Sequence, residues 1–353
     1  MNRRQFLQAS AGSIVAASSV GQASAGQLPV STIPPGSTQP RKLILHAYSR
    51  YFHWLRSPDD VAGAALELGC GGFVPTVGAY PAHVDIAKVA TDLGPFVKKM
   101  QSHGLRVDLV RGPNSTDVGQ PNVEALIGAA AQAGVKSYWL GNNEYDLTKP
   151  ILPQLDALKF RVEKFVRLNE KHKITLLYHT TSGPNIIGGA VFDLLSVLRN
   201  FDPQYVAFHW DPVHMSHHET GMWEPMMRAL GPYLAAIAWK DGTVQKVARG
   251  VQAAGGRGGG AVPAETPSGA AEILRWDYAP IGTGVIDFPR VIKVLSDLGF
   301  NGPMDLAAEY PLGGAESGAG ALTIPRADLM AALKKDIAAL RRHFELSKTG
   351  LSI

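Results

Sequence analysis

The sequence predicts a single closed (β/α)8 barrel, and three features of the chain support that prediction. Eight short runs of strand-forming residues alternate with longer segments of helical periodicity, which is the order typical of a parallel sheet. Runs such as LAAIAW show little alternation of polar and apolar residues, as expected for strands buried on both faces. An open doubly wound sheet is disfavoured, because no G-x-G-x-x-G sequence follows the first predicted strand.

The predicted strands and helices follow in strict order from residue 42. The strands are KLILHA (42–47), GFVPTV (72–77), LRVDLV (105–110), VKSYWL (135–140), ITLLYH (174–179), YVAFHW (205–210), LAAIAW (234–239) and PMDLAAE (303–309). Between them, DDVAGAALELG, VDIAKVATDLGPFVKKMQSHG, NVEALIGAAAQAG and FPRVIKVLSDLG end in glycine, a typical helix stop. LDALKFRVEKFVRLNEKH and ADLMAALKKDIAALRRHFEL are amphipathic. The barrel is therefore expected over residues 42–345, followed by a C-terminal tail at 346–353.

The composition is that of an ordinary globular protein. Of the 353 residues, 45% are hydrophobic and 18% charged, and the formal net charge is +4. The basic residues form no cluster interleaved with aromatic residues, so nucleic acid is not an expected partner. The single cysteine, Cys70, excludes a disulfide within the monomer and a cysteine-based zinc site, and it is expected to be a buried structural thiol.

Residues 1–25 are predicted to be an export signal. Arg3 and Arg4 precede the weakly apolar stretch AGSIVAASSVG and the small-residue pattern Ala23-Ser24-Ala25. A charged start, a short apolar run and a cleavage pattern are typical of a secretory signal, and paired arginines indicate the twin-arginine route. A periplasmic or secreted location is therefore expected.

Two further segments are predicted to carry no packed structure. Residues 26–41 are rich in Pro, Ser and Thr and are expected to be a flexible linker. Residues 248–271 contain GGRGGG and are expected to be a mobile glycine-rich insertion on the same rim as the strand ends. No later segment has the roughly 18 consecutive apolar residues that a bilayer anchor requires, so a stable membrane anchor is not expected.

Barrel active sites lie at the C-terminal ends of the strands, and this rule selects the candidate residues. Those at or just after strand ends are His46, Tyr48, Arg111, Asn142, Asn143, Glu144, His179, Asp211, His214, Trp239, Lys240, Asp241 and Glu309. The densest group is FHWDPVHMSHHE (208–219), which begins in the sixth predicted strand and continues into the loop after it. A metal site, a catalytic site and a plain polar loop are the alternatives for this group, and Asp211 and His214 are expected to face the reaction centre. Asp211 either shapes this loop as an Asx-turn or faces the site. His217 and His218 are expected to face solvent.

Four segments in order resemble one family. LLYHTTSG, HWDPVHM, IAWKDG and IGTGVIDFPRVIKVLSDLGFNGPMDLAAEY are similar to the strand-five, strand-six, strand-seven and final segments of sugar phosphate isomerases and epimerases. These proteins have the xylose isomerase-like TIM barrel, and the resemblance covers residues 42–345. It implies proton abstraction next to the carbonyl of a sugar or keto-sugar. A DNA endonuclease of the same barrel type is disfavoured.

The resemblance also implies a divalent metal, manganese or magnesium, with one ligand from each of the last four strands. Asp211 and Glu309 match the ligands of strands six and eight. The strand-five position is interpreted as Thr181 and the strand-seven histidine position as Trp239, and neither residue replaces the family ligand. The predicted metal ligands are therefore Asp211, His214 and Glu309. A metal-free site remains the alternative, with Glu309 or a histidine as base and Lys240 supplying the positive charge.

The expected function is thus an exported sugar isomerase/epimerase-like enzyme with a small sugar as substrate. The predicted catalytic residues are Glu309, His179 and Lys240, and the predicted substrate contacts are Trp239, His46, Glu144 and Arg111. Trp239 is expected to stack on a sugar ring. Two alternatives stay open: a lyase that eliminates the aglycone of a 3-keto-glycoside, and a barrel that binds carbohydrate without catalysis.

Overall fold

The computed structural model describes residues 40–183, 185–218, 221–248 and 272–353. The predicted signal at 1–25 lies outside these ranges, as do nearly all of the linker at 26–41 and of the insertion at 248–271. The side chains of His217 and His218 also lie outside the described part of the chain.

Eight parallel strands form a nearly closed barrel, which confirms the predicted fold class. The strands of the chain are β1 (Arg41–Lys42), β2 (Leu45–Tyr48), β3 (Gly72–Val74), β4 (Val77–Gly78), β5 (Val84–Asp85), β6 (Leu109–Arg111), β7 (Ser137–Trp139), β8 (Thr175–His179), β9 (Val206–Trp210), β10 (Leu234–Trp239), β11 (Asp241–Ala248), β12 (Glu272–Ala279), β13 (Met304–Leu306) and β14 (Leu351–Ser352). The barrel order is β3-β2-β13-β10-β9-β8-β7-β6. Isolated parallel bridges from Gly72 to Arg106 and from Thr76 to Arg111 join its two ends.

The helices cover the barrel and mostly match the predicted segments. They are α1 (Pro58–Glu67), α2 (Val89–Ser102), α3 (Val123–Gln132), α4 (Ile151–His172), α5 (Phe192–Leu198), α6 (Pro212–His218), α7 (Trp223–Leu230), α8 (Phe288–Asp297) and α9 (Arg326–Ser347). Single turns of 3-10 helix lie at Ser49–Phe52, Ile86–Lys88, Gly231–Tyr233 and Ala315–Ser317. The prediction of a loop after the sixth strand was wrong, because a helix begins there at Pro212. Proline is favoured at the first position of a helix.

Three strand pairs lie outside the barrel in the described residues, and the shortest of them is the parallel pair of β4 and β5. β14 pairs in parallel with β1, so the segment predicted as a C-terminal tail returns to the strand that precedes the barrel. β11 and β12 pair as an antiparallel hairpin that begins directly after Lys240. Because β10 ends at the C-terminal face of the barrel, this hairpin starts at the mouth where an active site is expected.

The core lies between the barrel and its helices. Trp239 is fully buried there, with its ring centroid 5.8 Å from those of Phe288 on α8 and Phe344 on α9. Cys70 is 4% exposed, and its burial raises the pKa of the thiol to about 12, so the prediction of a buried structural cysteine is confirmed. None of the helices in the described ranges is long and apolar enough to cross a membrane.

Candidate active site

A cavity of about 600 Å³ opens at the C-terminal ends of the barrel strands. A volume of this size falls in the range of small-molecule sites. Both polar and apolar side chains line it, and the charged or titratable ones come from several strands and from the connections that follow them. Among them are Arg50, Arg111, His179, His214, Lys240 and Glu309.

Lys240 joins the two carboxylates that the sequence singled out. Its Nζ atom lies 2.8 Å from Oδ2 of Asp211 and 3.2 Å from Oε2 of Glu309. The lysine side chain is 4% exposed, and such burial alone would favour the neutral amine. The negative charges of Asp211 and Glu309 outweigh burial and raise the pKa of Lys240 above its ordinary value. The residues at the ends of β9, β10 and β13 therefore meet at one mouth of the barrel around a permanent ammonium group.

Glu309 carries a second cation on its other oxygen. Nη1 of Arg50 donates to Oε1 at 2.5 Å, and Arg50 lies in the 3-10 turn that follows β2. Burial opposes ionisation of Glu309, but the charges of Lys240 and Arg50 outweigh it and lower the pKa of this carboxyl to about 2. Glu309 is therefore fully ionised at neutral pH, and each of its oxygens faces a positive charge.

The two oxygens of Asp211 have different partners. Oδ1 accepts from the backbone N–H groups of Val213 at 3.0 Å and His214 at 3.2 Å, in the first turn of α6. Oδ2 faces two residues that line the cavity: it lies 2.8 Å from Nζ of Lys240 and 3.2 Å from Nε2 of His179. Burial opposes ionisation, but the nearby cations, Lys240 first, lower the pKa of Asp211 well below its ordinary value. Asp211 therefore both shapes the backbone that follows it, through Oδ1, and contacts residues of the site, through Oδ2.

Two histidines complete a cluster with Asp211 that fits a divalent cation. Nε2 of His214 lies 3.7 Å from Oδ2 of Asp211, and one ligand atom from each of His179, Asp211 and His214 falls within 4.8 Å of the others. The distances of 3.2 Å and 3.7 Å from Oδ2 of Asp211 to Nε2 of His179 and of His214 are those of atoms bound to one metal at about 2.0–2.2 Å. Burial lowers the pKa of His179 to about 4, so its imidazole is neutral at pH 7, as ligation requires. Two imidazoles and one carboxylate suit manganese or zinc better than magnesium, which prefers oxygen.

The cluster differs from the predicted ligand set of Asp211, His214 and Glu309. Among the described residues, the cluster contains His179 in place of Glu309. The two oxygens of Glu309 are instead paired with Lys240 and Arg50. Thr181, at the predicted strand-five position, lines the cavity with its hydroxyl 3.3 Å from Oδ1 of Asn142.

Three predicted substrate contacts lie away from the cavity. Trp239 is the clearest correction: it is fully buried against α8 and α9, because side chains alternate along β10 and its neighbours Ala238 and Lys240 face the cavity instead. His46 is also fully buried, with Nε2 3.0 Å from Oδ2 of Asp108. Glu144 is exposed and accepts from Nδ2 of Asn185 at 3.1 Å. Arg111 does line the cavity, where it donates to Asn114.

The site residues that sequence reasoning missed include Arg50, His209, Tyr278 and Asp305. Tyr278 arrives on β12, with its hydroxyl 3.5 Å from Nε2 of His214 and its ring centroid 5.4 Å from Nζ of Lys240. The alternating pattern of EILRWDYA was a signal for this strand. His209 could have been found from strand alternation. It lies two residues before Asp211, so both side chains point to the same face of β9.

Comparisons with known proteins agree with this fold. The family model for xylose isomerase-like TIM barrels matches residues 63–342. The structure of an L-ribulose 3-epimerase superposes with a TM-score of 0.58 at 14% identity, covering 86% of this chain and 95% of that one. A 3-keto-D-glucoside 4-epimerase from E. coli gives 0.57 at 13% identity, covering 85% and 99%. A xylose isomerase-like protein from Mycobacterium smegmatis in complex with magnesium gives 0.54 at 14% identity, covering 87% and 100%. No curated protein is similar enough in sequence to count as a relative.

Proposed function

The chain belongs to the xylose isomerase-like TIM barrel family, and we propose that it is a sugar isomerase or epimerase-like enzyme acting on a sugar or keto-sugar. The reaction begins with removal of a proton from the carbon next to the substrate's carbonyl group. The observation that carries this proposal is the placement of Lys240 between Asp211 and Glu309 in a cavity of about 600 Å³.

This arrangement supplies the two groups that the reaction needs, which are a base and a fixed positive charge. Removal of the proton leaves an enediolate, whose negative charge has to be stabilised by fixed positive groups in a site with little water. Lys240 and Arg50 are such groups, and both contact the carboxylate of Glu309. We assign Glu309 as the base, because it is ionised and borders the cavity.

The basicity of Glu309 has to rise when substrate binds, since a carboxyl with a pKa of about 2 is a weak base. A substrate oxygen that accepts hydrogen bonds from Lys240 and Arg50 draws these cations away from Glu309. The carboxylate then loses the interactions that lower its pKa, and the enolate oxygen gains them.

A divalent cation fits the cluster of His179, Asp211 and His214. When bound there, it would polarise a substrate oxygen as a Lewis acid. His179 is proposed to act through its Nε2 atom, which faces Oδ2 of Asp211 at 3.2 Å. One solved structure of similar fold is described as a magnesium complex, which supports a divalent cation in such a barrel but not the choice of metal.

Exchange of substrate hydrogen with D2O tests the proposal without knowledge of the final product. The protein is incubated with a panel of ketoses, aldoses and 3-keto-glycosides, with and without Mn²⁺, and NMR follows loss of the proton next to the carbonyl. Glu309→Gln keeps the shape but removes the base, and we expect exchange to fall about 10²–10⁴-fold. Glu144→Gln is the matched control, because Glu144 is exposed outside the cavity, and it should exchange at the wild-type rate.

The products separate the related alternatives. A 3-keto-glycoside lyase begins with the same proton abstraction, so release of the aglycone would identify it after exchange has been detected. A barrel that only binds carbohydrate would show saturable binding with no exchange in any variant. The sequence argument for that last alternative was a sugar ring stacked on Trp239. The indole is packed outside the cavity, so this argument no longer applies.

We further propose that residues 1–25 direct export by the twin-arginine route. The support is the order of Arg3-Arg4, the apolar stretch and Ala23-Ser24-Ala25. Replacing Arg3 and Arg4 together by lysine should trap the uncleaved chain in the cytoplasm, as seen by cell fractionation and mass measurement. Normal export of that variant would contradict the proposal.

A further inference from the structure

The cavity has two halves that differ in charge. Among the described residues that line it, the carboxylates are those of Asp305 on β13 and of Glu309 and Glu316 in the segment after that strand. Glu309 and the buried Asp211 both pair with Lys240, which follows β10. The lining carboxylates and the reacting position assigned above therefore belong to the half of the barrel mouth that is built from β9, β10 and β13.

The opposite half presents a different set of side chains. Arg111 ends β6, and β6 stands four places from β10 in the order of the eight strands, which puts it across the barrel mouth. The guanidinium group donates through Nη2 to Oδ1 of Asn114, and both residues line the cavity. Trp139 and Asn142 line it from the end of β7. In the described part of these two strands and of the segments directly after them, no carboxylate lines the cavity.

We propose that the substrate of this site is a sugar acid, whose carboxylate binds Arg111 while its carbonyl end faces Lys240 and Glu309. The proposal rests on the function given above and names the substrate class for it. A guanidinium group has five N–H donors, which is more than the contact with Asn114 uses. Its planar fork matches a carboxylate and holds it through two parallel hydrogen bonds.

The same arrangement disfavours a neutral sugar and a phosphate ester. A neutral sugar that covers Arg111 would take water from the cation without supplying a charge in return. A phosphate carries between one and two negative charges, and sites that hold it typically combine several arginines or add the N-terminus of a helix. One guanidinium flanked by the amides of Asn114 and Asn142 instead balances the single charge of a carboxylate.

The test compares three probes that differ at one carbon: a 2-ketohexose, the same ketose with C6 oxidised to a carboxylate, and the same ketose as its 6-phosphate. Calorimetry should show that the wild type binds the acid about 10–100-fold more tightly than the neutral ketose, because hydrogen bonds to a charged group add this much. Arg111→Gln should lose the preference and bind the neutral ketose as before. Arg111→Lys should keep part of it, since an ammonium group has the charge without the fork. In the D2O exchange assay, Arg111→Gln should raise KM for the acid and leave kcat nearly unchanged.

Arg106→Gln is the matched control. Arg106 lies in the same segment, but its side chain is 60% exposed and pairs with Asp108 outside the cavity. This variant should keep the preference for the acid.

Equal affinity of the wild type for the neutral and the acidic ketose would overturn the proposal, even if no Arg111 variant folds. So would a preference that survives in a folded Arg111→Gln protein, or tighter binding of the phosphate than of the carboxylate. A lack of hydrogen exchange in every probe, with the binding preference as expected, would instead contradict the proposed function alone.

Discussion

Two imidazole–carboxylate pairs near strand ends, each with one fully buried member, have opposite surroundings. In the first, Nε2 of His46 lies 3.0 Å from Oδ2 of Asp108, and Nδ1 lies 3.1 Å from the carbonyl oxygens of both Ile44 and Met304. Both ring nitrogens are therefore occupied, and the residue borders no part of the cavity. In the second, His179 and Asp211 stand 3.2 Å apart beside the cavity, with Lys240 and His214 on the same carboxylate oxygen.

The difference shows that burial and a charged partner do not by themselves identify a site. The His46 pair is saturated by fixed groups and has nothing left to offer a ligand. The Asp211 carboxylate instead contacts His179, His214 and Lys240, which all line the cavity, and its burial carries a desolvation cost that is expected at functional sites. The following changes test whether the two regions really differ in this way.

Lys240→Met should have the largest effect, because it removes the cation that Asp211 and Glu309 share. Breaking a buried ion pair from one side leaves a carboxylate uncompensated, which costs about 3–5 kcal/mol of unfolding free energy. Loss of the oxyanion-stabilising charge should also reduce hydrogen exchange by about 10²–10³-fold. Denaturant unfolding and the D2O exchange assay measure the two effects.

The pH dependence of this variant provides an internal check. Glu309 has a folded pKa of about 2, below its ordinary 4.5, so its interactions stabilise the fold above the ordinary value and are lost as pH falls through the folded one. The stability difference between wild type and Lys240→Met should therefore shrink as the pH is lowered from 4.5 toward 2. A difference that stays constant over this range would show that packing of the lysine stem, rather than its charge, accounts for the loss.

Much of the fold could be predicted because strands buried on both faces and glycine-ended helices leave local patterns. The site was predicted only as a set of residues at strand ends. The sequence does not reveal which of these side chains face the cavity. Trp239 was placed in the site although alternation along β10 directs Lys240 there and turns the indole away. Arg50 and Tyr278 were missed because each comes from a connection rather than a barrel strand. The position of a side chain in such a connection depends on tertiary packing.

Disrupting the His46 pair should destabilise the barrel without altering the site. His46→Leu leaves Asp108 without its buried imidazole partner, for which we expect a loss of about 1–3 kcal/mol. Gly72→Ala should have a similar effect by another route, because a Cβ atom there would stand 2.2 Å from Cδ2 of His46. Gly63→Ala, with nothing within 4 Å of its added carbon, is the control. Hydrogen exchange in the sugar should stay at the wild-type rate in all three variants, and a large decrease in His46→Leu would place this pair in the catalytic machinery.

Trp239→Phe should have the smallest effect. It tests which side of β10 the substrate contacts. The indole donates to Sδ of Met304 at 3.4 Å and otherwise makes apolar contacts, so a smaller aromatic ring leaves a small cavity that should cost about 1–2 kcal/mol. The apparent KM for sugar should not change, because Trp239 lies outside the cavity.

Tyr278→Phe is the variant for comparison, since the hydroxyl of Tyr278 lies 3.5 Å from Nε2 of His214 inside the cavity. It should change turnover or KM while leaving stability within about 1.5 kcal/mol of wild type. A weaker sugar affinity in Trp239→Phe alone would mean that the substrate binds on the other side of the strand, and the assignment of the cavity as the active site would fail.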